Sequence, residues 1–452
     1  MKLAFALLLS LCAAASVRAE GGRPPRPITD AEVKAGKPLY LRECSACHGE
    51  RGDGAGPAAA FVDPKPRNFL QKQFKFRTTP SGDAPTTADV LRTIERGLPG
   101  SAMPAFSFLS EPERKQIAAY VLNLADLIDD GEPAPIADPG VAPPATPETV
   151  AHGKELYATQ GCLHCHGALG KGDGPAAKSL ADDDGHPIPV RDFTTGVFRG
   201  GSDRKDLYYR FTVGMTGTPM PSFTDGPDAD RWALVDYVLT LRVPVAVKPL
   251  PQDPIKAGRE IAARYSCRGC HVLDNGKGGA VGPDLRISGA KLSTDWVRAF
   301  VQAPREAGKI YPWRVWRMPH LGVTAEEAEG LGRYLAAMGH RKPGPASLPD
   351  LAAVKPAQLE EGQLFFTLKC AQCHALGKLI ETPLAAQQGP DLIHVAGRVD
   401  YGFARKWILD PKKVDPTSRM TVPGLTPAQV EAVQAFVWKA SLAAAPGAAV
   451  AK

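Results

Sequence analysis

No apolar run in this 452-residue chain reaches the ~18 residues that a bilayer-spanning helix needs, so its bulk is not an integral membrane protein. Charge of one sign is not in excess: 54 basic residues face 48 acidic ones, for a formal net charge of +6. Low-complexity disorder is excluded as well. Gly 45 and Pro 43 together make about a fifth of the chain, below the roughly 25–30% of disordered chains. Hydrophobic residues at 44% and charged residues at 23% are the balance of a soluble globular protein. At about 150 residues per domain the length suggests three domains, and four small ones fit equally well.

Unpaired cysteine is also lacking outside the N-terminal stretch. Of nine cysteines, only Cys12 stands alone, between Lys2 and a small-residue pattern ending Val17-Arg18-Ala19. With an apolar region from Leu3 to Ala15, residues 1–19 read as a cleaved export signal, cut after Ala19. A lipoprotein reading centred on Cys12 meets a bulky Leu11 where a small residue is expected.

The other eight cysteines form four pairs at one spacing, each followed by histidine: Cys44/Cys47/His48, Cys162/Cys165/His166, Cys267/Cys270/His271 and Cys370/Cys373/His374. C-x-x-C-H is the signature of covalent c-type haem attachment. Two thiols reach the two vinyl groups of one porphyrin, and a helical turn puts the next imidazole on the same side, under the iron. C-x-x-C pairs also serve as redox dithiols, Cys₄ zinc sites or extracellular disulfides. None of these explains a histidine after every pair. The reading is four haem c groups, with iron held proximally by the four histidines.

The repeat is wider than the motif. A glycine (Gly36, Gly153, Gly258, Gly362) precedes the first cysteine of each pair by 8, 9, 9 and 8 residues and opens a short amphipathic segment. A second helical pattern closes each unit, with Tyr120, Tyr237, Tyr334 or Phe436 inside it and Ser110, Thr324 and Thr426 where N-caps belong. A glycine facing an aromatic ring lets two helices cross closely. Pro-rich stretches at 132–148, 243–254 and 342–356 read as extended spacers. The expectation is an all-α chain of four tandem domains at 27–130, 148–242, 253–341 and 355–442.

Four methionines recur in loops before the closing helices. Met103, Met220, Met318 and Met420 stand 17, 17, 16 and 16 residues before the recurrent aromatic, and no other methionine shares this register. They are the expected distal iron ligands. His320 and His394 are the rival candidates. His/Met ligation fills both axial positions and raises the potential relative to bis-histidine, which favours outer-sphere electron transfer over catalysis.

These motifs resemble the periplasmic multihaem c-type cytochromes built from fused class I cytochrome c domains, over essentially the whole exported chain. Units one and two share GDGAGPAA and GDGPAA, then PRNF (66–69) and VRDF (190–193), then MPAF and MPSF. Units three and four share GPDL and Arg-Met (317–318 and 419–420). Thr421 stands where the other methionines have proline. The resemblance implies that Pro57, Pro175, Pro283 and Pro390 support the proximal histidines through their carbonyls. It also implies a periplasmic carrier with redox-protein partners, or a subunit of a respiratory or dehydrogenase complex. A peroxidase-like enzyme with one open or displaceable axial position is the alternative.

About eight haem propionate charges would offset the basic excess, so the charge is no evidence for nucleic-acid binding. Lys65, Arg67, Lys72, Lys75 and Arg77 form a run without an acid. It reads as a docking face for an acidic partner, a solvated face, or a set of propionate partners.

Overall fold

The computed structural model describes residues 23–243, 249–304, 318–382 and 389–444. Residues 1–19, read as an export signal with Cys12, and Arg317 lie outside them. The described residues are helices and loops without strands; extended pairing is confined to isolated bridges such as Leu292 with Val399.

Each quarter is organised around a leading and a closing helix. The leading helices are Asp30–Glu43, Pro147–Thr159, Pro254–Arg264 and Pro356–Phe365. The closing helices are Glu111–Leu124, Asp228–Thr240, Ala325–Met338 and Pro427–Ala443. Ser110, Thr324 and Thr426 cap their helices with reciprocal boxes to Glu113, Glu327 and Gln429. In the second quarter Pro227 takes the cap position without a side-chain bond, and Asp228 binds Tyr208 and Arg231 instead.

The leading and closing helices touch where the glycine register predicts. A β-carbon on Gly36 would lie 2.0 Å from the Gln116 carbonyl oxygen and 2.9 Å from Tyr120 Cβ. On Gly153 it would lie 1.9 Å from the Ala233 oxygen, on Gly258 2.0 Å from Tyr334 Cγ, and on Gly362 2.1 Å from the Ala432 oxygen. Backbone rests on backbone or on the root of a ring at each crossing, so no side chain fits. One turn later, Tyr40, Tyr157 and Phe366 meet the recurrent aromatics Tyr120, Tyr237 and Phe436 at 5.2, 5.3 and 6.1 Å between ring centroids. Four hydrophobic clusters result, one per quarter, with Leu292 packed against both the third and the fourth.

Two of the Pro-rich segments, 132–148 and 342–356, are strapped down rather than free, and residues 244–248 of the third lie outside the described residues. Glu132 pairs with buried Arg26 and accepts from Thr87, Ile136 N–H donates to the Thr78 carbonyl, and Asp138 pairs with Lys205 of the next quarter. Thr294 and Gly344 exchange bonds in the third quarter, and Ser347 donates to Asp400 of the fourth. Proline restricts the backbone of these segments, and polar side chains decide where they lie.

Candidate haem sites

In all four motifs the histidine N–H donates to the carbonyl of the first cysteine, at 3.0 Å for His48 and 2.9 Å for His166, His271 and His374. That single turn puts the first cysteine and the imidazole on one face. None of the eight thiols is in a disulfide. Burial pushes the Cys47 thiol up to about 12, and those of Cys162, Cys267 and Cys370 to about 11. They are neutral thiols, unlike the activated thiolate of a redox dithiol. Among the described residues no group of three metal-donor side chains includes a cysteine, so the pairs do not combine into a Cys₄ zinc site.

Every motif histidine has its Nδ1 against a backbone carbonyl, which only accepts, so Nδ1 carries the proton and Nε2 is left as the donor to a metal. His271 donates to Pro283 and His374 to Pro390, both at 2.8 Å. His48 donates instead to Arg67 at 3.0 Å and His166 to Arg191 at 3.3 Å, correcting the roles that the resemblance implies for Pro57 and Pro175. The reason lies in the loops. In all four quarters the glycine before this proline bonds back to the second cysteine's carbonyl. In the first two, a later segment then passes under the histidine and stacks a phenylalanine on it. Phe69 lies 4.7 Å from His48 and Phe193 4.3 Å from His166, both nearly parallel. In the last two, Gly282 and Gly389 sit against the imidazole, where a β-carbon would come within 2.3 and 2.2 Å of the ring. Desolvation holds His48, His166 and His374 below the ordinary imidazole range, so these rings are neutral at neutral pH, the form that can ligate a metal.

One cavity of about 620 Å³ runs through the first three sites. Both cysteines of each of these motifs line it: Cys44 and Cys47, Cys162 and Cys165, Cys267 and Cys270. His48, His166 and His271 line it together with Met103, Met220 and Met318, each of which packs against the core of its own quarter. Met215 lines it too, and its N–H donates to the Met220 carbonyl. Ser101, Thr218 and Ser418 fix the methionine loops by accepting from the N–H of Met103, Met220 and Met420, two residues on.

The fourth site departs from the expectation of four alike. Cys370, Cys373, His374 and Met420 line no part of this cavity. The physical reason is how the fourth quarter is attached. It joins the third through Leu292, which packs against both cores, and through Ser293, bonded to the Arg398 and Gly397 carbonyls, and neither residue lies on the cavity wall. Local geometry still assembles the motif. Cys373 N–H donates to the Cys370 carbonyl at 3.0 Å, and the Cys373 carbonyl accepts from Gly389 at 2.9 Å. Both thiol residues are half-buried. Met420 is half-buried as well, and its Sδ accepts from Trp407 Nε1–H at 3.1 Å. His320 and His394 are both exposed.

The donor set fits haem c. It offers paired thiols, an imidazole on the same turn oriented through Nδ1, a thioether-bearing loop and, in three quarters, a largely apolar cavity beside them. Sequence reasoning does not find the Phe69 and Phe193 stacking, the Arg67 and Arg191 carbonyls or the Trp407 contact. The signal for the first two is the PRNF/VRDF repeat, visible but without a role until the fold is seen.

The basic run is not a docking face. Arg77 is fully buried and donates to the carbonyls of Phe74, Pro80 and Val213, Lys65 donates to those of Ala59, Ala60 and Val62, and Lys72 pairs with Asp126. Arg67 and Lys75 line the cavity.

The cytochrome c family model matches residues 33–125 and 150–242. The chain is 30% identical over 155 residues to the Cbb3-type cytochrome c oxidase subunit FixP of Sinorhizobium medicae, a match covering 33% of this chain and 44% of the relative. It is 29% identical over 142 residues to subunit CcoP of Helicobacter pylori, covering 31% and 39%. The chain spans between 38% and 62% of the length of the curated relatives it matches. A solved chain of the Kuenenia stuttgartiensis reducing HAO-like protein complex Kustc0457/Kustc0458 is 42% identical over 49% of this chain and all of its own length, with a TM-score of 0.46. With a C-x-x-C-H turn in each matched segment, residues 33–125 and 150–242 are cytochrome c domains.

Proposed function

We propose that the third and fourth quarters are haem domains like the first two, and that the protein is a tetrahaem electron carrier exported to the periplasm. The carrying observation is the identical Cys-to-His turn in all four quarters, each with its imidazole oriented by a backbone carbonyl. Cys44/Cys47, Cys162/Cys165, Cys267/Cys270 and Cys370/Cys373 would tether the haems. His48, His166, His271 and His374 would be the proximal ligands, and Met103, Met220, Met318 and Met420 the distal ones. Haem c supplies a one-electron iron couple, whose potential the axial pair and its surroundings set. The loops of Met103, Met220 and Met420 are braced by Ser101, Thr218 and Ser418, so little would rearrange there when the charge changes. Residues 1–19 support export. The partners are redox proteins, and the likeness to oxidase subunits supports a place beside, or within, a respiratory complex.

Potentiometric titration followed by low-temperature EPR tests the reading. Four low-spin ferric signals with His/Met character are expected. A high-spin ferric signal, or carbon monoxide binding to the native reduced protein, would favour the enzyme alternative.

The fourth site carries its own prediction. A hydrogen bond into the Met420 sulfur withdraws density and makes it a poorer donor to ferric iron. Trp407→Phe should therefore lower the midpoint potential of this haem, by the equivalent of about 1 kcal/mol or less. An unchanged potential would separate Met420 from the iron.

A further inference from the structure

The junction between the first two domains is tightly built. Arg210 of the second donates to the Lys75 and Arg77 carbonyls of the first at 2.8 and 2.7 Å and lies over the Phe76 ring, which also packs on Gly200. Gln71 and Gln73 bond to Asp184 and Asp183 at its other edge. Among the cations on the cavity wall, four lie within electrostatic reach of one another: Arg67 and Lys75 from the first domain, Arg191 and Arg199 from the second. Other arginines of these domains have carboxylate partners: Arg26 with Glu132, Arg204 with Asp236, Arg231 with Asp228. These four have no ion pair among the described residues. Nε and Nη1 of Arg191 and Nε of Arg199 are buried with no hydrogen-bond partner.

Grouping four like charges in a half-buried wall is costly unless anions meet them. Burial first, then Arg67 and Arg199, push Lys75 down to about 8; Asp182 and Asp184 act the other way without making contact. The same cavity wall holds His48 and His166, which would be the proximal ligands of two haems carrying four propionates between them. Four cations without an ion pair thus lie on the wall of the cavity that would hold four carboxylates.

We propose that Arg67, Lys75, Arg191 and Arg199 form one propionate-binding seam shared by the haems of the first two domains, so that the two irons are an electrostatically coupled pair held by both domains together. Positive charge at the propionates favours the reduced iron, so each cation raises both potentials, and the two centres titrate interdependently. The inference rests on haem occupancy of these domains, which haem staining and the Soret band of the unaltered protein report separately.

The test is potentiometry with EPR on the full-length holoprotein, with the first domain's haem marked by the changed g values of Met103→His. Arg199→Gln, in the second domain, is expected to lower both midpoints. The nearer haem should lose about tenfold in its reduction equilibrium, which is about 59 mV for one electron. Arg199→Lys should recover most of the shift, and Arg405→Gln in the fourth quarter should move neither midpoint. If Arg199→Gln does not fold, Lys75→Gln from the other domain must lower the second haem's midpoint. A shift confined to the mutated domain's haem, or no shift, overturns the shared seam while leaving the haem assignment intact.

Discussion

Gly153→Val is expected to abolish the native packing of the second domain. A β-carbon there would sit 1.9 Å from the Ala233 carbonyl oxygen and 2.9 Å from Tyr237 Cβ. Neither neighbour is the free end of a flexible chain, so the leading and closing helices must separate. Separation opens the core around Tyr157, Trp232 and Val235, all buried. Overpacking a close-packed core usually costs about 1–3 kcal/mol. A collision with backbone exceeds that range, and we expect at least about 4 kcal/mol, the size seen for gross core disruption. Urea unfolding followed by near-UV circular dichroism checks it, with Gly397→Ala as the neutral control because nothing lies within 4 Å of its added carbon. Native stability in Gly153→Val would refute the crossing.

The second large effect is on cofactor content. Cys162→Ser with Cys165→Ser removes both tethers in the second domain while leaving His166 and its bond to the Arg191 carbonyl. The variant should carry one covalent haem fewer, and one component should vanish from the potentiometric titration. Tyr157, whose hydroxyl donates to the Gly167 carbonyl at 2.7 Å, keeps the attachment turn against the leading helix, so the fold around it persists. Unchanged haem content would mean that this pair does not hold a haem. If the seam described above operates, the potential of the first domain's haem also changes, because two of the four propionates leave the junction.

Much of this was legible in the residues because the information is local and periodic. The C-x-x-C-H spacing is one helical turn, the Ser110, Thr324 and Thr426 caps act within three residues, and the glycine and aromatic registers recur at fixed distances. What the residues did not disclose depends on chain path. Pro57 and Pro283 occupy the same place in their repeats, yet Pro283 supports its histidine while the Arg67 carbonyl serves in the first domain. The difference lies in a later segment that returns under the ring; the PRNF/VRDF repeat marks its place in the chain but not its path. Cys373 repeats the spacing of Cys47, Cys165 and Cys270, yet those three line a common cavity and Cys373 does not. Motif spacing describes one turn and says nothing of which quarter packs beside which. The basic run from Lys65 to Arg77 reads as a surface feature because charge usually is one. Arg77 is buried because carbonyls as far away in sequence as Val213 accept its protons. The contact of Trp407 with Met420 joins residues 13 apart across a turn that neither repeat nor register marks. The strapping of the Pro-rich segment at 132–148 was not legible, since Glu132 and Asp138 give no sign in sequence of where their partners Arg26 and Lys205 lie.

Intact-mass measurement of the protein, purified from a host that matures c-type cytochromes, tests the central claim most directly. The account predicts a single species, the exported polypeptide plus four covalently attached haems. A mass corresponding to two haems, with the cysteines of the third and fourth quarters unmodified, would confine haem to the first two domains and contradict it.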